Sequence, residues 1–597
     1  MDRKSIVIMV VCLALLVGMR YVSNWLYPPI PVPATNQVAL ATNAASYGAN
    51  ASASQSNQPP SLTASTTSPK PLAPSSVPEQ TLTITNDNAR YTFTSFGGGL
   101  KLVELLHYPE TVSARRKKIA QTNNFATLNT DANLPSLAIL GDDRLQGDGV
   151  FKLSPIDGGV RAEKALADGL ALVKDFKIGT NYLVSANVRL ENRSSQAIAL
   201  PAQEWVVGTA TPVGPEDRGL AVGAIWSNGE KTETVNPAWF ANKTLGCFPG
   251  TPRSEYDGTM TNVTWAAAQN QFFVLATMPK DPAQEVIVRA VDLPRHAGPS
   301  GATNGPAPQG YQTTMLYPGQ TLEPNKSMER EFNLFVGPKE YRTLAKISAR
   351  FNNNIDWVMG FNGFFGSFAK GLLLAMNWLH SQFTIPYGWL IIVITVIIKV
   401  VFWPLTQAST RSMKRMQALQ PQIKALQEKY KDEPQKLSQK QLEFWRKNKV
   451  NPLGGCLPML LQIPVFFGFY RMLQSAIELR GAHFLWIGDL SKPDTIFYLP
   501  GFDFPVNPMP LIMGVTMLWQ SHLQPPSPGM DPAQQKMMRY MPLMMLVFLY
   551  NFSSGLALYW TVNNLLTILQ TKLIRTQNNP AAGAAKAPAP ATPPRKK

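Results

Sequence analysis

The sequence predicts a polytopic α-helical membrane protein with a large all-β domain inserted after its first apolar segment. Three observations predict it. The stretch Tyr387 to Trp403, YGWLIIVITVIIKVVFW, is long enough to span a bilayer and carries Lys399 inside it. Short runs of alternating polar and apolar residues recur from about Gln80 to Phe335. A strongly basic segment, Pro404 to Val450, separates two apolar ones, as cytoplasmic loops of membrane proteins do.

At 597 residues the chain exceeds one globular domain. A net charge of +17 admits nucleic acid, anionic lipid or the ribosome as partners. The basic residues sit beside apolar runs, which points to the membrane and away from a specific nucleic-acid site. Three cysteines, Cys12, Cys247 and Cys456, supply neither a disulfide framework nor a thiolate metal site. Five histidines, His107, His296, His380, His483 and His522, lack ligand spacing. The sequence contains no phosphate loop, HExxH pair or nucleophile elbow, so neither a metal nor another cofactor is expected and a nucleotide-driven or hydrolytic machine is disfavoured.

In residues 1–27, Arg3 and Lys4 precede an apolar run from Ile6 to Met19. A cleaved signal peptide would continue into a small-residue cleavage site. Here Arg20, Tyr21, Trp25 and Tyr27 follow instead, the pattern of an uncleaved anchor with a cytoplasmic N-terminus. Residues 28–79 are Pro, Ala, Ser, Thr, Asn and Gln with few large apolar side chains, the composition of a flexible tether. Residues 80–345 read as a β sandwich outside the membrane: TLTITND, ARYTFTSF, NYLVSANVRL and EVIVRAVDL alternate at period two, and only Ala162 to Asp168 has a helical period. Trp205, Trp226, Trp239 and Trp265 are expected in its core or rim, with a sugar-binding platform as the alternative.

Residues 346–385 turn helical. Phe368 to Phe383 is apolar with a polar stripe at Lys370, Asn377 and Ser381, suited to lying in the membrane interface. Residues 386–404 form the second span. In the cytoplasmic loop 405–450, basic residues outnumber acidic ones by eleven to four, and apolar residues recur at three and four on either side of Asp432-Glu433-Pro434. A helical hairpin follows, with Pro421 kinking its first arm and Arg411, Lys414, Arg415 and Lys424 as the receiving surface of the cytoplasmic face. Residues 451–575 hold four more spans: Leu453 to Leu473, Val506 to Leu523, and two within Met537 to Leu573, divided by the turn Asn551 to Gly555. Loop charges alternate to match, and the basic Pro/Ala-rich tail 576–597 falls inside. The total is six spans with both termini cytoplasmic.

Several spans carry polar groups that anchoring does not need. Thr395 and Lys399 are four apart on one helical face, Gln462 lies between Pro458 and Pro464, and the last span holds Thr561, Asn563, Asn564, Thr567 and Gln570. A charge in hydrocarbon costs about 2.5–3.5 kcal/mol on insertion scales, so a span that keeps one usually has a use for it. Turned to one side, these groups would make a hydrated groove. The alternatives are snorkelling for Lys399, roughly 17 Å along the helix from Gly388, and helix-to-helix hydrogen bonds for the rest.

The stretches IIVITVIIKVVFWPLTQAST, NPLGGCLPMLLQIPVFFGFYRML and DPAQQKMMRYMPLMMLVFLYNFSSGLALYWTVNNLLTILQ closely resemble the YidC membrane protein insertases of the Oxa and Alb superfamily. The resemblance is dense from Pro386 to Ile574 and weaker through LFVGPKEY toward the N-terminus, the arrangement of Gram-negative members. It implies five core helices plus an N-terminal one, a periplasmic β supersandwich similar to galactose mutarotase, and a charged groove open to cytoplasm and lipid. The groove position is usually arginine in the family and is Lys399 here, which keeps the charge and loses the planar fork. Thr395 matches the family's hydroxyl beside that charge. Tyr559 and Trp560 fall at its substrate-contacting aromatic position, facing the lipid side. The resemblance also implies partners: nascent membrane proteins, the Sec translocon, the ribosome and signal recognition particle pathway, and the phospholipid bilayer of the inner membrane. Two rivals stand beside it. A secondary transporter or channel would use Lys399 in a solute path but would show inverted repeats, and no corresponding halves are visible. A carbohydrate enzyme on an anchor would need a His with a carboxylate base, and His107 and His296 lie in no such motif.

Overall fold

Alternation of apolar and polar residues dictates most of the β domain. In the computed structural model, which describes residues 77–577 apart from 113–123, 142, 215–216, 218, 220, 244–249, 295–307, 405, 408–417, 431–432, 449–456, 500–503 and 524–531, a nine-, a five- and a four-stranded antiparallel sheet pack around one core, with a two-stranded ribbon, Ile198–Leu200 with Gln320–Leu322, beside them. The anchor 1–27, most of the tether 28–79 and nearly all of the tail 576–597 lie outside the described residues, as does the motif NPLGGC.

The nine-stranded sheet runs from Lys152–Ile156 through Gly159–Ala165, Leu170–Ile178, Leu183–Asn192, Ser327–Pro338, Phe273–Pro279, Trp265–Gln269 and Gly223–Ser227 to Thr232–Val235. A five-stranded sheet, centred on Gln309–Tyr317 and Gln203–Ala210, packs on its face. Trp205, Trp226 and Trp265 are each 0–1% exposed between them, so they are core. Only Trp239 keeps a partly exposed ring, with the Arg253 guanidinium 4.4 Å from its centroid. The helical period at Ala162 to Asp168 does not form a helix. Val160, Ala162 and Lys164 point inward while Arg161 and Glu163 do not, so period two wins, and Gly159–Ala165 pairs with Leu170–Ile178.

The four-stranded sheet, Thr81–Thr85 to Phe125–Leu128, is tied to the nine-stranded one by a buried lysine that bonds the turn at Gly97, between its second and third strands. Lys174, 0% exposed, donates to the Gly97 and Leu137 carbonyls at 2.7 Å each and lies 4.5 Å over the Phe151 ring.

Helices follow the last strand: α1 (Tyr341–Phe351), α2 (Gly363–Phe383), α3 (Tyr387–Val401), α4 (Gln420–Lys429), α5 (Pro434–Lys447), α6 (Leu457–Ser475), α7 (Pro508–Leu523), α8 (Pro532–Leu549) and α9 (Ser554–Gln577). Pro421 and Pro434 each sit in the first turn of a helix, where a missing N–H costs nothing. Pro421 lies two residues after the turn at Leu419, which separates α4 from the helical Ala418. Between α2 and α3 the chain turns by 118°, so α2 lies across the direction of α3. Among the described residues no single helix is long and apolar enough to cross a membrane; α2 and α3 pass that test only together.

The helices are sewn to one another by the loop after α6. Asp489, fully buried, accepts from the Gly481 and Ser491 amides and the Ser491 hydroxyl, while Ser554 Oγ donates to its carbonyl. Gly555 N donates to Leu490 O at 2.9 Å, and a Cβ on Gly555 would lie 3.0 Å from that oxygen. The start of α9 is thereby fixed, which gives the Ser-Ser-Gly-Leu turn its physical role. A second close approach seats α3, where a Cβ on Gly388 would lie 2.5 Å from the Phe484 ring. Gly388→Val is expected to cost about 1–3 kcal/mol by overpacking, seen as a lower melting temperature in detergent.

Candidate functional site

Lys399 lies in the last turn of α3, whose outward residues Val396, Ile397, Val400 and Val401 are exposed. The lysine is half-buried and turned to α9, where its amine donates to Thr567 Oγ1 at 2.9 Å. Thr567 in turn donates to Asn563 O at 2.7 Å. Its hydroxyl hydrogen is thus committed, and its free lone pairs receive the ammonium.

One turn before Lys399, Thr395 is 1% exposed and spends its hydroxyl on Ile391 O at 2.6 Å. It shares the lysine's face and is satisfied within its own helix. A row of polar side chains continues along α9 and across to α7. Asn564 Nδ2 donates to Thr516 Oγ1 at 3.1 Å, Thr561 donates to Ala557 O, and Asn563 and Gln570 are 4% and 3% exposed. Gln570 Nε2 is buried and makes no hydrogen bond within the described residues. Buried polar groups of α9 thus bond to α3 at Thr567 and to α7 at Asn564, and Lys399 is the cation held at Thr567.

Of the residues expected at the site, Lys399 and Thr395 come together. Gln462 is half-buried on α6 and makes no hydrogen bond with either. The paired aromatics separate. Tyr559 is 1% exposed and stacks on Phe469 of α6 with centroids 4.2 Å apart, whereas Trp560 is partly exposed with its edge toward Phe466 at 4.7 Å. The expectation that both face the lipid side fails for Tyr559, because neighbouring residues of a helix point about 100° apart. Arg411, Lys414 and Arg415 lie outside the described residues; Lys424 is on α4 and its side chain is not described. Thr567 and Thr516 are the partners that sequence reasoning did not assign. Thr567 stands four residues after Asn563 and three after Asn564, a spacing that marks one face of α9.

Near Lys399, α2, α3 and α6 border an open apolar groove of about 390 Å³, lined by Phe368, Leu372, Ile398, Phe402 and Val465. A polar face and an apolar slot thus lie on neighbouring sides of α3. Thr567→Val would strand the Lys399 amine without its acceptor. The expected loss is about 1–3 kcal/mol, read from thermal unfolding in detergent.

This architecture, a helical bundle with an internal charge and a β domain spliced before it, is matched by two families. Residues 378–581 match the family described as 60Kd inner membrane protein, and residues 81–374 match the YidC periplasmic domain. The protein class is thus an inner-membrane protein bearing a periplasmic, mostly β domain. A membrane protein insertase YidC of Syntrophobacter fumaroxidans is 42% identical over 52% of this chain and 53% of its own length. Another, of Geotalea daltonii, is 30% identical over 96% of this chain and 99% of its own. A crystal structure of an active YidC insertase with its first transmembrane domain resolved aligns over 84% of this chain and 92% of that one, at 20% identity and a TM-score of 0.31. The chain belongs to the YidC family of membrane protein insertases, a family of insertases and not of enzymes.

Proposed function

We propose that this protein is a membrane protein insertase and chaperone that carries nascent membrane proteins from the cytoplasm into the inner membrane through a polar groove. The observation that carries the reading is the Lys399 amine, held on Thr567 at the edge of a row of buried polar side chains from three helices. Such groups lower the local barrier to a hydrophilic segment without opening a pore.

In this reading six helices span the bilayer, with both termini in the cytoplasm and the β domain in the periplasm. A short external segment of the substrate, acidic in the favourable case, is drawn to Lys399 and into the polar face lined by Thr395, Gln462 and the α9 residues. Its apolar helix then slides along the outside of the bundle near Trp560, with Tyr559 holding that wall through Phe469, and partitions into lipid. Burial of roughly 20 apolar residues, at tenths of a kcal/mol each for Leu, Ile, Phe and Val, supplies the driving force without a nucleotide or cofactor. The basic hairpin bearing Arg411, Lys414, Arg415 and Lys424 receives the emerging chain, and the Sec translocon, the ribosome and the signal recognition particle pathway are the expected partners.

The test is insertion of a small Sec-independent membrane protein in cells depleted of their own insertase and supplied with this chain. Protease protection of the substrate's external segment should reverse, since a translocated segment becomes accessible from the periplasm. If the segment stays protected at normal levels of this protein, the insertase reading fails.

A further inference from the structure

The loop between α6 and α7 is built inside out. Its described charged side chains all turn toward protein. Glu478 accepts from Asn377 Nδ2 at 2.7 Å, and Arg480 donates to Glu110 O at 2.9 Å and lies against the Phe273 ring. Lys492 donates to Val112 O at 3.3 Å. Asp489 and Asp494 are 0% and 3% exposed, the latter accepting from Trp486 Nε1 and Met509 N. Among the described residues of the loop the exposed side chains are the reverse: Leu485, Trp486, Ile496, Phe497, Tyr498 and Leu499 are between 36% and 54% exposed, and His483 is the remaining exposed member.

A loop bathed in water normally shows its charges and hides its aromatics, so this arrangement needs a nonaqueous neighbour. Leu485 adds a second sign. It has φ +50° at the first central position of the turn closed by Phe484 and Ile487, a place glycine usually takes, and its side chain is still presented outward. The patch also continues into the helices. Trp389, in the first turn of α3, packs its edge on Phe484 with centroids 5.3 Å apart, and Ile512 and Val515 are exposed near the start of α7. The loop is therefore an extension of the bundle's outward apolar surface.

We infer that this loop, by Leu485-Trp486 and Ile496 to Leu499, docks into the boundary between headgroups and acyl chains of the periplasmic leaflet. Tyr498 suits that layer because one end of its ring is apolar and the other polar, and Trp486, its N–H given to Asp494, presents its apolar ring. No lysine or arginine is exposed in the patch, so the attraction is hydrophobic and does not require anionic lipid. The anchor holds the β domain as well, since Arg480 and Lys492 of the same loop grip Glu110 and Val112. The inference rests on the periplasmic placement of this loop and not on the insertion mechanism.

The experiment is site-directed spin labelling of the full chain in vesicles, with Cys12, Cys247 and Cys456 replaced by serine. Labels are placed at Tyr498→Cys, Leu485→Cys and, as a water-exposed reference in the β domain, Asp157→Cys. At 485 and 498, collisions with oxygen should exceed those with a water-soluble nickel chelate several-fold, with the opposite ratio at 157. The result should be the same in phosphatidylcholine and in vesicles containing phosphatidylglycerol. Chelate-dominated relaxation at 498 overturns the inference, and so does exclusion of both reagents, which would mean a protein cover. Dependence on phosphatidylglycerol overturns the hydrophobic basis. Tyr498→Cys alone decides the matter if Leu485→Cys fails to fold.

Discussion

Lys399→Glu should abolish insertion of a substrate with an acidic external segment, Lys399→Ala should reduce it at least about tenfold, and Lys399→Arg should keep most of it. A tenfold change corresponds to about 1.4 kcal/mol, well below the ~4 kcal/mol that two unit charges 4 Å apart exchange at an effective dielectric of 20. The Ala variant loses that attraction. The Glu variant converts it into repulsion and also places an anion opposite the carbonyl-rich turn of Asn563 and Thr567. Arginine retains the charge and a donor for Thr567, so it should substitute. A substrate with a neutral external segment should separate the charge from the shape of the groove, showing a smaller spread among the same variants. Protease accessibility of the external segment reads all of this. Equal insertion by all three variants at equal protein levels would make Lys399 a snorkelling side chain and leave the polar row of α9 to act without it.

The parts of this molecule legible in its sequence were those with a one-sided environment. Strands such as Leu183–Asn192 alternate because one face meets the core, and the break at Asp432 to Pro434 announces the α4–α5 pair because proline is incompatible with a helix interior and favoured in a first turn. The turn before α9 was legible from Ser554 and Gly555, although its reason, the seat on Leu490 and Asp489, was not. Facing was lost where a helical turn is apolar all round. From Gly555 to Trp560 α9 has no polar side chain outside Tyr559 and Trp560 to set a face, so the two read as a pair and only packing against Phe469 and Phe466 divides them. Partners more than a hundred residues apart, such as Lys399 with Thr567 or Arg480 with Glu110, leave no local signal. The inside-out loop was missed for a related reason. Its composition is mixed, and the decisive fact is which side chains turn inward.

The β domain should become more stable, not less, as the pH rises from 7 toward 10. Lys339 is 5% exposed and gives its amine to Asn270 O at 2.7 Å, and burial brings it down to about 7. Lys174 is held well below its ordinary range by burial, and secondarily by Lys164. In the unfolded chain both lysines titrate near 10.5. Between the folded and unfolded values the unfolded chain therefore binds more protons, and stability climbs with pH by up to about 1.4 kcal/mol per unit for each lysine. Below the folded values both states are charged, the slope vanishes and the full cost of burial remains. Tyrosines set the upper limit. Burial pushes Tyr91 up to about 12 and raises Tyr108 and Tyr317 as well, so above pH 10 the unfolded chain loses protons that the folded one keeps, and stability turns down. Urea unfolding of the full chain in detergent, followed by tryptophan fluorescence, should place the maximum near pH 10. Lys339→Met removes one titrating group while filling a similar volume. It should raise stability at pH 7 by about 1–3 kcal/mol and shallow the rise between 7 and 10. A wild-type profile that falls steadily from pH 7, or an unchanged slope in the variant, would show that these ammonium groups stay charged in the core.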